Sequence, residues 1–334
     1  MSAILSRRGF LAGTAAAGGL LASGSRGMAQ AAYPQRNFRV IVPTGQGGGA
    51  DRLARAFDDA WSKHLKRQFE YSFHAGAAGQ VGYELFVKRT PADGHHMLFG
   101  NMGPEMIMYV VQKPDYKFPE DYVYFSRMDV DDSCVFVKRD SPLKDMKAVV
   151  DAAKSRQLNV AVSRIPHPAS IGMLALGDAT GAKFNLIPYG GGNPTYTAVL
   201  NGEAEVGALP IAGVLSLSDR FKVLGVFNRE NIFAAKTENA PPINSVFGTN
   251  IPDLYSSRAW AVHTKWADAN PEHFDMLQRT STLAHADPTF RDAFAQTGSP
   301  IEALKYGDRK VCTDYSMAMV ELAKGYEKVL SAAK

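Results

Sequence analysis

The residues best placed to do chemistry in this chain of 334 are glycines. Gly45, Gly47, Gly48 and Gly49 follow the apolar run Val40-Ile41-Val42. They precede Leu53, Ala54 and Phe57 at helical spacing, with Asp51 and Arg52 at the helix mouth. The order is buried strand, tight turn, helix start. Without Cβ atoms such a turn lets backbone approach a ligand closely. It aims bare N–H groups and the positive end of a helix at one point, which makes a cradle for a carboxylate or phosphate. A second run, Gly190-Gly191-Gly192, lies at another expected strand end. Beside it, Tyr189 could wall a pocket and Asn193 could supply an amide.

A third turn, 163–170, carries side chains with sharper chemistry. Arg164 could take a carboxylate through two parallel hydrogen bonds; its alternatives are a solvated arginine or an interdomain ion pair. His167 could donate to a carboxylate or stack on a ring, or simply be exposed. Ser170 suits the N-cap of the helix that follows. Asn101 and Met102 end a strand at the edge of the same region, with Met102 the better packing residue. Asp51 is expected to cap or orient the first turn. His95-His96 reads as turn surface. Asp129, Asp131 and Asp132 lack the glycine and distal glutamate of a calcium loop and read as hinge surface. Cys134 and Cys312 have apolar neighbours and read as isolated buried thiols, although an exported protein leaves a disulfide open. No Cys/His spacing calls for a metal, and no cofactor is expected.

The elements that must position these residues alternate. A helix is expected over 51–67, a strand over 68–73, a helix over 83–88 and a strand over 97–99. This implies a parallel sheet with right-handed crossovers. The pattern resets near residue 130: strands over 134–137, 159–163, 184–188, 204–209 and 221–227, helices over 146–155, 169–180 and 195–201. A strand over 258–263 and helices over 271–285, 288–296 and 313–330 close the chain, with no third sheet expected. The expectation is therefore α/β with two domains, 32–130 plus 258–334 and 131–257, joined by two crossings. Glycine- or proline-rich turns at 43–50, 100–104, 163–170 and 188–194 fall at the carboxyl ends of strands, where open α/β sheets bind ligands. Two turns from each half would close on a small ligand.

The N-terminus states an address. Ser6-Arg7-Arg8-Gly9-Phe10-Leu11 is a twin-arginine pattern, an apolar stretch runs from Phe10 to Ala22, and Ala29-Gln30-Ala31 suits cleavage. The reading is a Tat signal over 1–31 and a periplasmic mature chain from Ala32. The net charge of +4 loses three arginines with the signal, leaving about +1. No basic stripe suits nucleic acid.

Several segments, in order, resemble the receptors of tripartite tricarboxylate transporters, the Bug family of periplasmic solute-binding proteins. Tyr33-Pro34 leading into Phe38-Arg39-Val40-Ile41-Val42-Pro43 and Gly47-Gly48-Gly49-Ala50-Asp51 is similar to the family's opening. Pro91-Ala92-Asp93-Gly94-His95, Ile187-Pro188-Tyr189-Gly190-Gly191 and Leu200-Asn201-Gly202-Glu203-Ala204-Glu205-Val206 match three further elements. The resemblance implies a two-domain Venus-flytrap of the type II periplasmic kind, without catalysis. It implies a carboxylate held at turns 43–50 and 188–194, with help from 163–170, and an integral membrane partner. The candidate ligand residues are Thr44, Gln46, Gly47, Gly48, Asn101, Met102, Ser163, Arg164, His167, Ala169, Ser170, Tyr189, Gly190, Gly191 and Asn193. The chain departs from the family at Gly45 and Gln46, at Gly190, and across Arg164-Ile165-Pro166-His167-Pro168-Ala169-Ser170. The expected receptor is a monomer for a di-, tri- or aromatic carboxylate.

One reading from another class competes. Gly45-x-Gly47-x-x-Ala50 after a strand loosely satisfies a dinucleotide fingerprint, with Glu70 as the ribose acid of an exported NAD(P)-dependent oxidoreductase. Against it, Glu70 falls inside the expected strand rather than at its end.

Overall fold

The computed structural model describes residues 33–332. The signal segment and its cleavage site lie outside them. The strands are β1 (Phe38–Val42), β2 (Phe69–Phe73), β3 (His96–Asn101), β4 (Tyr122–Asp129), β5 (Asp131–Lys138), β6 (Leu158–Val162), β7 (Phe184–Pro188), β8 (Val206–Pro210), β9 (Phe221–Val226), β10 (Tyr255–Ser256), β11 (Arg258–His263) and β12 (Leu304–Gly307). The helices are α1 (Gly49–Leu65), α2 (Gln80–Arg89), α3 (Met102–Gln112), α4 (Met146–Ser155), α5 (Pro168–Thr180), α6 (Gly192–Asn201), α7 (Ile211–Leu215), α8 (Ile243–Phe247), α9 (Thr264–Ala269), α10 (Pro271–Ala286), α11 (Pro288–Gln296) and α12 (Arg309–Ala332).

Two sheets result. The first runs β12-β4-β11-β3-β1-β2, the second β10-β5-β8-β6-β7 with β9 on β5. Each has a parallel heart: β3-β1-β2 in the first, β8-β6-β7 in the second. Each also has an antiparallel flank, which the expectation of purely parallel sheets missed. β11 inserts between β3 and β4, antiparallel to both. The tail also adds β12 to the first sheet. The chain leaves the first sheet at Val130 and returns through Ser257, so each lobe is built on one sheet.

Local sequence explains the heart of the first lobe. Leu53, Ala54, Phe57, Ala60, Trp61 and Leu65 bury one face of α1. Trp61 and Trp260 meet edge-on, with ring centroids 5.1 Å apart, and Phe69 stacks on Trp61 at 5.2 Å. Each such ring contributes roughly 1.5–3 kcal/mol by burial. α1 is thereby fixed, and with it the direction of its N-terminus.

The turn expected at 100–104 is instead the end of β3 and the first turn of α3, with Gly103 and Pro104 inside the helix. Proline in a first turn costs nothing there, since that N–H has no intrahelical partner. Its consequence is Glu105, a fully buried carboxyl that the sequence reading did not see. Both cysteines are buried and free, as expected. His95 and His96, expected at the surface, are buried instead, with His96 Nδ1 3.0 Å from an Asp93 carboxylate oxygen. Among the described residues no helix is long and apolar enough to cross a membrane, and no cluster of His, Cys, Asp or Glu could hold a metal ion.

Candidate functional site

A cleft of about 1070 Å³ opens between the carboxyl ends of the two parallel hearts. Its first wall is the turn after β1. Gly47 takes φ 75°, a backbone that glycine adopts freely, and its N–H donates to Asp51 Oδ2 at 2.7 Å. The other Asp51 oxygen accepts from Arg55 Nε at 2.7 Å. Asp51 therefore ties the turn to α1, as expected. The N–H groups of Gly49 and Ala50 begin α1 without a partner among the described residues. The Thr44 hydroxyl also has none. An anion placed there would meet N–H donors and a helix end together.

The second wall is the turn after β7. Gly190 takes φ 77° and donates its N–H to the Ser163 carbonyl at 2.9 Å. That bond locks the turns 163–167 and 188–194 side by side. α6 starts at Gly192, three residues earlier than expected, and Thr195 closes its first turn by donating through Oγ1 to the Gly191 carbonyl at 2.7 Å.

Of the expected ligand residues, Thr44, Gln46, Gly47, Gly48, Asn101, Ser163, Arg164, His167, Gly190, Gly191 and Asn193 all line this cleft. Met102, Ala169, Ser170 and Tyr189 do not. Met102 and Ala169 are fully buried at the first turns of α3 and α5. The Met102 N–H is bonded to the Ser257 carbonyl and the Ala169 N–H to His167 Nδ1. Ser170 is buried, its hydroxyl donating to the Arg164 carbonyl at 2.9 Å. The Tyr189 side chain is turned toward Glu203; desolvation and that carboxylate raise its phenol. The aromatic residues that line the cleft are Tyr196, on α6, and Phe294, on α11.

His167 lines the cleft with both ring nitrogens committed. Nδ1 accepts from Ala169 N–H at 3.1 Å, so Nε2 carries the proton and points at Ser256 Oγ, 3.3 Å away. Burial first, then Arg164 and Arg258, holds its imidazole well below the usual range and therefore neutral. It is a helix cap, with no donor left for a ligand.

The floor was missed by sequence reasoning. Asp129 and Asp131, expected on a hinge surface, are buried against Arg258, and Asp132 is buried beside them. Arg258 donates to Asp129 through its backbone N–H at 2.8 Å and through Nη1, and to Asp131 through Nη2 at 3.2 Å. Asp131 also accepts from Ala212 N–H at 2.9 Å. The two crossing strands thus share one guanidinium. Opposite charges on both crossings were the only hint in the sequence. A second missed residue is Arg52, in the first turn of α1. It holds the Gly47 carbonyl at 2.7 Å. Among the described residues it alone of the three cleft-lining arginines has no carboxylate within 4.0 Å.

Glu70, the acid of the dinucleotide reading, sits mid-strand on β2 against Asn37 at 3.1 Å, not at the cleft. The family model described as the tripartite tricarboxylate transporter family receptor matches residues 53–305. The chain belongs to that family. Its members are receptors and not enzymes, which sets the oxidoreductase aside. BugT of Bordetella pertussis is 23% identical over 80% of this chain and 82% of its own. A Pseudomonas protein encoded in the tcbD-tcbE intergenic region is 27% identical, over 66% of each chain. Among solved structures, the Rhodopseudomonas palustris protein MatC, with bound malate, aligns at TM-score 0.71 and 17% identity, covering 89% of this chain and all of its own. An R. palustris protein solved with adipate aligns at 0.74 and 18%, covering 90% of this chain and 98% of its own. These neighbours share the two-domain Venus-flytrap fold of periplasmic binding proteins.

Proposed function

We propose that the mature protein captures a small carboxylate in the cleft and delivers it to an integral membrane permease of the tripartite tricarboxylate type. One observation carries the reading: two glycine turns, one per sheet, line a single cavity, and the N–H groups of Gly49 and Ala50 that begin α1 there have no partner among the described residues. Thr44, Gln46, Gly47 and Gly48 shape the first wall around the anion, and the N–H groups of Gly49 and Ala50 at the start of α1 donate to it. Asn101, Ser163, Arg164, Gly190, Gly191 and Asn193 complete the pocket from the floor and the second wall. The malate and adipate of the two structural neighbours are ligands of this chemical class. The lobes are taken as 32–130 plus 258–334 and 131–257, in keeping with sheet membership on either side of Val130 and Ser257. The twin-arginine segment exports the folded receptor to the periplasm, where it works as a monomer without a cofactor.

Thr44→Val tests the reading at one atom. It removes a buried hydroxyl that has no partner among the described residues, so stability is retained. A hydrogen bond to a carboxylate is worth roughly 1.5–3 kcal/mol, so affinity falls roughly tenfold or more by calorimetry. Unchanged affinity would remove the Thr44 hydroxyl from the site.

A further inference from the structure

Arg164 springs from the second lobe, just past β6, yet its guanidinium is committed to the first. Nη1 donates to the Ala78 carbonyl, in the turn before α2, at 2.9 Å. Nη2 lies 3.7 Å from Oε1 of Glu105 on α3. Glu105 is fully buried. Among the described residues Arg164 is the one basic group within 4.0 Å of its carboxylate. The approach is kept open by Gly79, at φ 106°, where a Cβ would stand 3.4 Å from that same oxygen. The arginine also stands on a stiff base. Its carbonyl accepts from Ser170 Oγ at 2.9 Å, and His167 N–H closes the turn on the Ile165 carbonyl at 2.8 Å.

Swinging the lobes apart about Val130 and Ser257 withdraws the guanidinium from both partners. The Ala78 bond is lost, and Glu105 is left buried with no cation beside it. A buried carboxyl stripped of its cation must either stay charged alone or take up a proton, and either costs free energy, whereas two exposed charges that part cost little. The contact therefore penalises the open form.

We propose that Arg164 is a cross-cleft clasp: a positioning residue that biases the empty receptor toward closure through Ala78 and Glu105. A binding protein whose competent form is only partly populated loses affinity in proportion to that population. The clasp thus scales affinity for every ligand by one factor, whatever the ligand's chemistry. A direct contact to one carboxylate would discriminate among ligands instead.

The test compares wild type, Arg164→Ala and Arg164→Lys in the mature protein. Arg164→Lys keeps a cation near Glu105 but cannot reach both partners at once, so it guards against a folding defect in the alanine variant. Small-angle X-ray scattering without ligand reads closure directly. Both variants are expected to have a larger radius of gyration than wild type, and an unchanged radius in both overturns the clasp. Malate and adipate titrations form the second arm. Affinities for the two are expected to fall by a common factor of at least about tenfold. A loss confined to one of them overturns the clasp and makes Arg164 a ligand contact. Should neither acid bind the wild type, the capture of these acids fails, while the scattering arm still decides the clasp.

Discussion

Replacing Glu105 by glutamine is expected to stabilise the protein at alkaline pH and to do so progressively less as pH falls. Burial pushes the Glu105 carboxyl from 4.5 up to about 7, against the opposing pull of Arg164. The folded state thus keeps its proton to a higher pH than the unfolded chain does. A group of this sign contributes stability below the unfolded value, pH 4.5, and loses it as pH rises through about 7. The gap of about 2.5 pH units corresponds to roughly 3 kcal/mol at full ionisation. Glutamine keeps the shape and cannot ionise. Urea unfolding of both proteins at pH 5, 6, 7 and 8 gives the difference in stability at each pH, and titrations elsewhere cancel. That difference should grow by roughly 3 kcal/mol in favour of the variant between pH 5 and pH 8. A pH-independent difference would refute the assignment of Glu105 as a carboxyl whose ionisation burial opposes. The same substitution should loosen the lobes, since it discharges the anchor of Arg164. Stability and closure would then move in opposite directions, which a merely structural residue would not do.

Two further outcomes follow from the floor and the third turn. Arg258→Met leaves Asp129 and Asp131 buried without their cation and should cost roughly 3–5 kcal/mol in denaturant unfolding; a cost below about 1 kcal/mol would show that water reaches the pair. His167 has a folded pKa held below its ordinary 6.5, so it contributes stability above pH 6.5 that is lost as pH falls below it. His167→Asn should flatten that acid-side loss in thermal melts, and an identical pH profile would contradict the neutral cap.

The first turn was legible because its information is local. Four glycines between an apolar strand and an amphipathic helix leave little else for the chain to do. The strand-helix rhythm resets near 130 and 257, and strand membership changes sheet on either side of Val130 and Ser257. What was not legible depends on contacts distant in sequence. The antiparallel insertion of β11 between β3 and β4 is a matter of pairing across about 130–160 residues, and no periodicity within β11 encodes it. Tyr189 precedes α6 and turns toward Glu203, whereas Tyr196 within α6 lines the cleft, and nothing local in the sequence says which face of that helix turns inward. Glu105 stayed hidden because Gly103-Pro104 was read as a break, where a first-turn proline is compatible with a helix. Arg258 and its aspartates became visible only once both crossings were brought together.

Binding of a carboxylate to the mature protein is the most direct test of the account. Differential scanning fluorimetry from Ala32 onward would screen citrate, four- to six-carbon dicarboxylates, acidic amino acids, benzoate, phthalates and nicotinate, with NAD(P) in a separate well. A ligand at about 100 times its dissociation constant adds roughly 2.7 kcal/mol of stability. The account predicts a clear upward shift of the melting midpoint for at least one carboxylate, and none for NAD(P). No shift with any carboxylate at millimolar concentration would contradict it.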